Sequence, residues 1–155
     1  MFAERITSVN GVLLAILIRA QPHQPARGKE PWLHFFSQEQ DQLQLAAMTR
    51  PVGEKIASHW HKPYERKVYG TPEHVFVQRG RLKVTFYNGD ETACATRVLE
   101  AGDHIVLLAG GHGFEVLEEV EMWETKQGPY LGKDDKVVFT PKEVPEREKG
   151  EDYEW

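Results

Sequence analysis

The chain has 155 residues, about 40% of them hydrophobic, a net charge of −5 and one cysteine. A chain of this length buries about 70% of its unfolded surface in one domain, with no need of cross-links, and a lone Cys94 excludes an internal disulfide framework. Acids and bases are mixed along it, so it lacks the basic stripe that nucleic-acid binding requires.

In chain order, the run at residues 12–18 is apolar for seven residues. That is far short of the roughly 20 needed to cross a bilayer, and it predicts a buried strand, either central or packed at a subunit boundary. Residues 21–31, rich in Pro, Gly and charge, read as a loop, and residues 37–42 as one helical turn. Strands are expected at 43–49, 54–61, 73–78, 81–87, 94–99, 104–108 and 114–126, with hairpin turns at Arg79-Gly80 and Asn88-Gly89-Asp90, where glycine and asparagine tolerate positive φ. This spacing predicts an all-β sandwich or barrel. The tail, residues 141–155, carries nine charged residues and reads as disordered, although Tyr153 and Trp155 at its end suit docking on the body or a neighbour.

The densest chemical signal is His59-Trp60-His61. On a strand, residues two apart project the same way, so the two imidazoles would form a claw. Glu73 shares a face with Val75 and Val77, and a carboxylate facing a core requires a partner, which a cation supplies. His112, between Gly111 and Gly113, would provide a third imidazole. Such a mixed N/O set suits a divalent transition metal, Fe, Mn, Ni, Zn or Cu, without selecting among them. His74 should face away from Glu73, and His104, on the face of Val106 and Leu108, reads as a satisfied core histidine. Met122, Glu124 and Lys126 share one face of the last strand. If that face looks inward, Glu124 and Lys126 are candidates for substrate binding or proton transfer. Tyr64, Arg66 and Tyr69 on the loop at 62–72 can close over a substrate with Gly70 as hinge; Tyr69 is the third candidate catalytic residue.

Gly53, five residues, His59-x-His61, then Glu73, six residues and Gly80 reproduce, apart from the loop length, the first motif of the cupin superfamily. Gly102 to His112 resembles the second. The chain therefore resembles a cupin over about residues 43–127, most closely the small single-domain bacterial cupins, some of which are similar to sugar and cell-surface polysaccharide proteins. It departs from the pattern in three ways. Eleven residues separate His61 from Glu73 where three or four are usual, Leu108 replaces a proline with His112 one residue early, and Val116 stands where asparagine is frequent.

The resemblance implies a jelly-roll barrel, or double-stranded β-helix, over residues 1–140 with an N-terminal strand extension, and His59, His61, Glu73 and His112 holding one metal ion. It implies a metal-dependent isomerase or dioxygenase acting on a small polar metabolite. Two alternatives stay open: a non-catalytic metal and small-molecule binder, and a metal-free enzyme like the sugar-nucleotide isomerases and epimerases of glycan pathways. No phosphate-cradling loop, nucleophile elbow or dinucleotide fingerprint is present, and Cys94 has no adjacent histidine. With no leader pattern, no spanning segment and a single cysteine, a cytoplasmic protein is expected, and a two-fold homodimer is the prior for its assembly.

Overall fold

The computed structural model describes residues 3–20 and 32–143. The expected loop at 21–31 and most of the charged tail lie outside them. Eight strands follow in order: β1 (Ala3–Thr7), β2 (Leu13–Ile18), β3 (Trp32–Phe35), β4 (Ala46–Thr49), β5 (Glu73–Tyr87), β6 (Ala93–Glu100), β7 (His104–Leu107) and β8 (Gly111–Lys126). A single 3-10 turn, Gly132–Asp135, is the only helical element among the described residues. The fold is all-β, as composition and alternation predict.

β5 organises the main sheet. On one side it pairs antiparallel with β7 through residues 73–76 and with β6 through 81–87, and on the other it pairs with β8 along its whole length. β7 continues into β2 and β2 into β1, giving a six-stranded antiparallel sheet. The sheet curls into a half-barrel. β1 reaches back to β6, where Arg97 Nε donates to both carboxylate oxygens of Glu4 at 2.9 and 3.1 Å. The guanidinium hydrogen bonds hold the Glu4 carboxyl below its ordinary range.

Alternation explains the core. Val75 and Val77 from β5, Ile105 and Leu107 from β7, Leu17 from β2, and Leu82, Val84 and Phe86 from the far half of β5 fill the concave side. Ile16, Ile18, Val106 and Leu108 point to the opposite side and pack under Phe36, Leu43, Leu45 and Ala47, beside the separate β3–β4 hairpin. β2 is thus buried on both faces, and it is a central strand. Arg81, Lys83 and Thr85 alternate with the core residues of β5 and face solvent, where Arg81 pairs with Glu118 and Glu100, and Lys83 with Glu115.

Three sequence expectations are corrected. Arg79-Gly80 is not a hairpin turn, and β5 runs through it as one strand of 15 residues. Gly80 sits at φ +85° where a Cβ would meet Glu119 O at 2.0 Å, so its conformational freedom serves a bulge against β8. Residues 54–61 form no strand, since they have no partner backbone, and every residue from 54 to 61 is exposed. Residues 37–42 form turns rather than a helical turn, because the Asp41 carboxylate accepts from Gln38 N at 2.7 Å and the Gln44 amide donates to three backbone carbonyls. The Asn88-Gly89-Asp90 turn forms, closed by Asn88 N donating to Thr92 O at 2.9 Å, but its positive φ, +72°, falls on Glu91 rather than on Asn88 or Gly89.

Candidate functional site

Glu73 opens β5 and His112 lies at the start of β8. The antiparallel pairing of the two strands brings both side chains to the face that carries Val75 and Val77, because His112 stands opposite Phe86 and Lys126 opposite Glu73. Their side chains meet at the end of the half-barrel beside Leu107 and Gly110, with His112 Nε2 3.2 Å from Glu73 Oε2. Glu73 is 16% exposed and His112 29%. The imidazole edge lies against the carboxylate, a polar neighbour for a core-facing glutamate.

A cavity of about 720 Å³ opens in front of this pair. Its walls are Glu73, His112, Phe114, Glu124 and Lys126 from the two strands, and Asp135 to Phe139 from the segment that follows β8. Lys126 Nζ is 3.5 Å from Asp135 Oδ2 and 3.9 Å from Glu124 Oε1, and it sits 5.4 Å from the centre of the Tyr130 ring. Thr71 Oγ1 donates to the other oxygen of Asp135 at 3.4 Å. Phe139 packs edge-on against Tyr87, with centroids 5.2 Å apart, and closes over Gly111. The site thus combines three carboxylates, an ammonium and an imidazole with aromatic walls, the mixture of apolar lining and few convergent polar groups that small-molecule pockets use. A smaller cavity of about 350 Å³ adjoins on the other side of His112, bounded by Tyr69, Gly70, Thr71 and Leu107 to Gly110.

Of the residues expected from sequence, Glu73, His112, Glu124 and Lys126 converge here. Tyr69 borders the adjoining cavity with its ring largely exposed and its N–H donated to Gln42 Oε1 at 2.9 Å. His59 and His61 stand apart. Their rings lie 5.4 Å apart, edge to face, in the exposed coil before β5, and His59 Nδ1 donates to Ala57 O at 2.9 Å. Among the described residues no three His, Cys, Asp or Glu side chains gather as a metal-holding group. The donor set brought together, one imidazole and one carboxylate 3.2 Å apart, does not fit the four-ligand site. The claw depended on a strand at 54–61, and its two imidazoles are not joined to the other pair.

Sequence reasoning missed Asp135 and Phe139. Gly128-Pro129 and Gly132 mark turns after β8, but nothing in the linear pattern says that the chain returns across the β8 face. Away from the cavity, His74 faces the opposite side of β5 from Glu73, as alternation predicts, and joins His104 and Phe76 in a stack. Cys94, half-buried on β6, has its thiol pushed up by burial and donates it to Phe86 O, which leaves it inert as a nucleophile. No helix among the described residues is long and apolar enough to cross a membrane. No family model, curated protein or solved structure matches the chain.

Proposed function

We propose that this chain is a cupin-type half-barrel that binds a small polar metabolite in front of β5 and β8 and moves a proton on it through the Glu73–His112 pair, without a resident metal. The observation that carries this reading is the 3.2 Å contact between His112 Nε2 and Glu73 Oε2 on the wall of a cavity of about 720 Å³. A carboxylate set beside one imidazole nitrogen orients the ring, an arrangement by which histidine serves as general acid and base. Lys126, held by Asp135 and Glu124, supplies a positive charge for an oxygen that gains negative charge as a proton leaves the adjacent carbon. The carboxylates accept hydroxyl groups, and Phe114 and Phe139 offer apolar faces. A polyhydroxylated carbonyl compound satisfies all of these, and the reaction class is isomerisation or epimerisation.

The test is solvent exchange. A panel of small hydroxy-aldehydes, hydroxy-ketones and sugar derivatives is incubated with the protein in deuterated water, and loss of the proton next to the carbonyl is followed by NMR. The expected result is exchange that survives a strong chelator and falls by about a hundredfold or more in Glu73→Gln and His112→Asn. Absence of exchange with every compound, or exchange abolished by the chelator, overturns the reading.

A second reading keeps the metal. It is favoured by the juxtaposition of Glu73 and His112, two of the four expected ligands, and it requires the coil carrying His59 and His61 to fold over them. Near-stoichiometric metal in the purified protein, lost in a His59→Ala/His61→Ala variant, would select it.

A further inference from the structure

We propose that β8 is a dimerisation edge, along which a second copy of this chain pairs antiparallel about a two-fold axis at Glu119. Among the described residues β8 pairs with β5 alone, so one side of a strand of 16 residues carries no partner. An edge of that length is a template for another strand, and proteins that keep such edges solitary shorten them or give them unpaired charge. β8 is long, and its charges are spoken for. Glu115 is bound to Lys83, Glu118 to Arg81, and Glu119 and Glu121 to Arg79, while Glu124 lies 3.9 Å from Lys126. Five glutamates that would repel a second copy are offset by four cations of their own chain, with Glu119 and Glu121 sharing Arg79.

The apolar residues explain why the occupant is the same chain. Phe114, Val116 and Leu117 are exposed near the start of β8, and Met122 and Trp123 near its end, with Trp123 61% exposed. An antiparallel two-fold sets the first group of one copy against the second group of the other. With the axis at Glu119, Val116 stands opposite Met122 twice over and Leu117 lies diagonal to Trp123, within reach of an indole. The same register places Glu115 opposite Trp123, Glu118 opposite Val120 and Glu121 opposite Leu117, so no glutamate except the axial one faces a glutamate. The irregular stretch where β8 bulges against β5, around residues 117–121, falls at the axis, and the regular stretches pair with each other. The edge is about 50 Å long, and a sheet about 10 Å thick offers roughly 500 Å² edge-on before the exposed side chains are added. Those side chains bring it towards the roughly 800 Å² per partner of a stable interface.

The full chain is measured by light scattering and sedimentation across a concentration series, beside a Val116→Lys/Met122→Lys variant. Both positions are exposed, so that variant keeps its fold, which thermal melting checks. The expected result is a dimer in the parent and a loss of association of at least about a hundredfold in the variant, because each Val116–Met122 contact then sets lysine directly opposite lysine. A Val116→Cys/Met122→Cys protein in a Cys94→Ser background should form a covalent dimer on oxidation, while either cysteine alone should not, since directly opposed Cα atoms lie within disulfide range and the two copies of one position do not. A monomeric parent overturns the proposal, as does a dimer indifferent to the lysines or a dimer that the cysteine pair fails to link. A chain ending at residue 143 that dimerises where the full chain stays monomeric would assign the edge to residues 144–155 instead.

Discussion

His74 on β5 and His104 on β7 share one hydrogen bond between imidazoles: His74 Nε2 lies 3.1 Å from His104 Nδ1, with the rings stacked at 5.3 Å and 12°. One ring must donate and the other accept, so the contact exists only while at least one of them is neutral. Burial is the main cause holding both pKa values below the ordinary 6.5; beside His104, the Asp103 carboxylate pulls the other way. The unfolded chain therefore binds more protons than the folded one just below pH 6.5, and stability rises with pH there. The contribution of the pair is fully present above pH 6.5 and is lost as pH falls through the lowered folded values. Urea unfolding between pH 7.5 and pH 5 should show a falling midpoint in the parent and a flatter profile in His74→Gln/His104→Gln. An unchanged slope in that variant would remove the pair as its cause.

Gly80→Ala should be among the most destabilising single-methyl changes in the chain. The new Cβ would lie 2.0 Å from the Glu119 carbonyl oxygen at a φ of +85°, so β5 and β8 would have to separate locally. The expected cost is about 2 kcal/mol or more, against about 1 kcal/mol for Gly70→Ala, which has a similar φ and open space. Denaturant titration of the two variants side by side measures the difference.

Asp103 ties the end of β2 to the turn before β7. Only 3% exposed, it accepts from Ala20 N at 2.7 Å, Glu100 N at 2.9 Å and Arg19 at 2.8 Å. Asp103→Ala leaves three donors without this acceptor and should lower stability by about 3 kcal/mol. Asp103→Asn keeps one acceptor oxygen and should lose less. Calorimetric melting orders the three proteins.

His59→Ala/His61→Ala should shift stability by less than about 0.5 kcal/mol, because both side chains are exposed. The same change should leave ligand binding at the cavity intact, whereas Glu73→Gln and His112→Asn should abolish it. Isothermal titration with any compound that passes the exchange screen separates the two pairs of residues.

How far the sequence could be read depends on whether a pattern reports burial. The alternation in β5, β6 and β7, and the unbroken apolar run of β2, reflect faces that are packed, and those strands fall close to where alternation places them. Residues 54–61 carry the same local strand signals but no packed face. Ile56 and Trp60 there are exposed, and without a neighbouring backbone a histidine pair cannot make a strand. Glycine is ambiguous for a different reason. At Gly80 it marks positive φ and tight space within a strand, whereas Gly89 has neither and the positive φ of that turn falls on Glu91; only the continuous pairing of β5 with β8 tells a bulge from a hairpin. Strand periodicity makes two groupings legible, Glu73 with Val75 and Val77, and Glu124 with Lys126, while His112 is legible only from the motif, since β8 begins earlier than the expected strand. Asp135 and Phe139 are not legible, since their contribution comes from the return path of an irregular segment.

The pairing of β2 with β7 sets Ile18 opposite His104, which has a consequence for synthesis. The five buried apolar residues from Leu14 to Ile18 leave the ribosome several seconds before the strand that will cover their edge, at the usual ~5–20 residues per second. β5, whose partners β6, β7 and β8 all follow it, waits as well. The nascent chain must carry its stickiest segment unshielded until translation has passed residue 107, so its yield in a cell should depend on chaperones that hold extended apolar peptides.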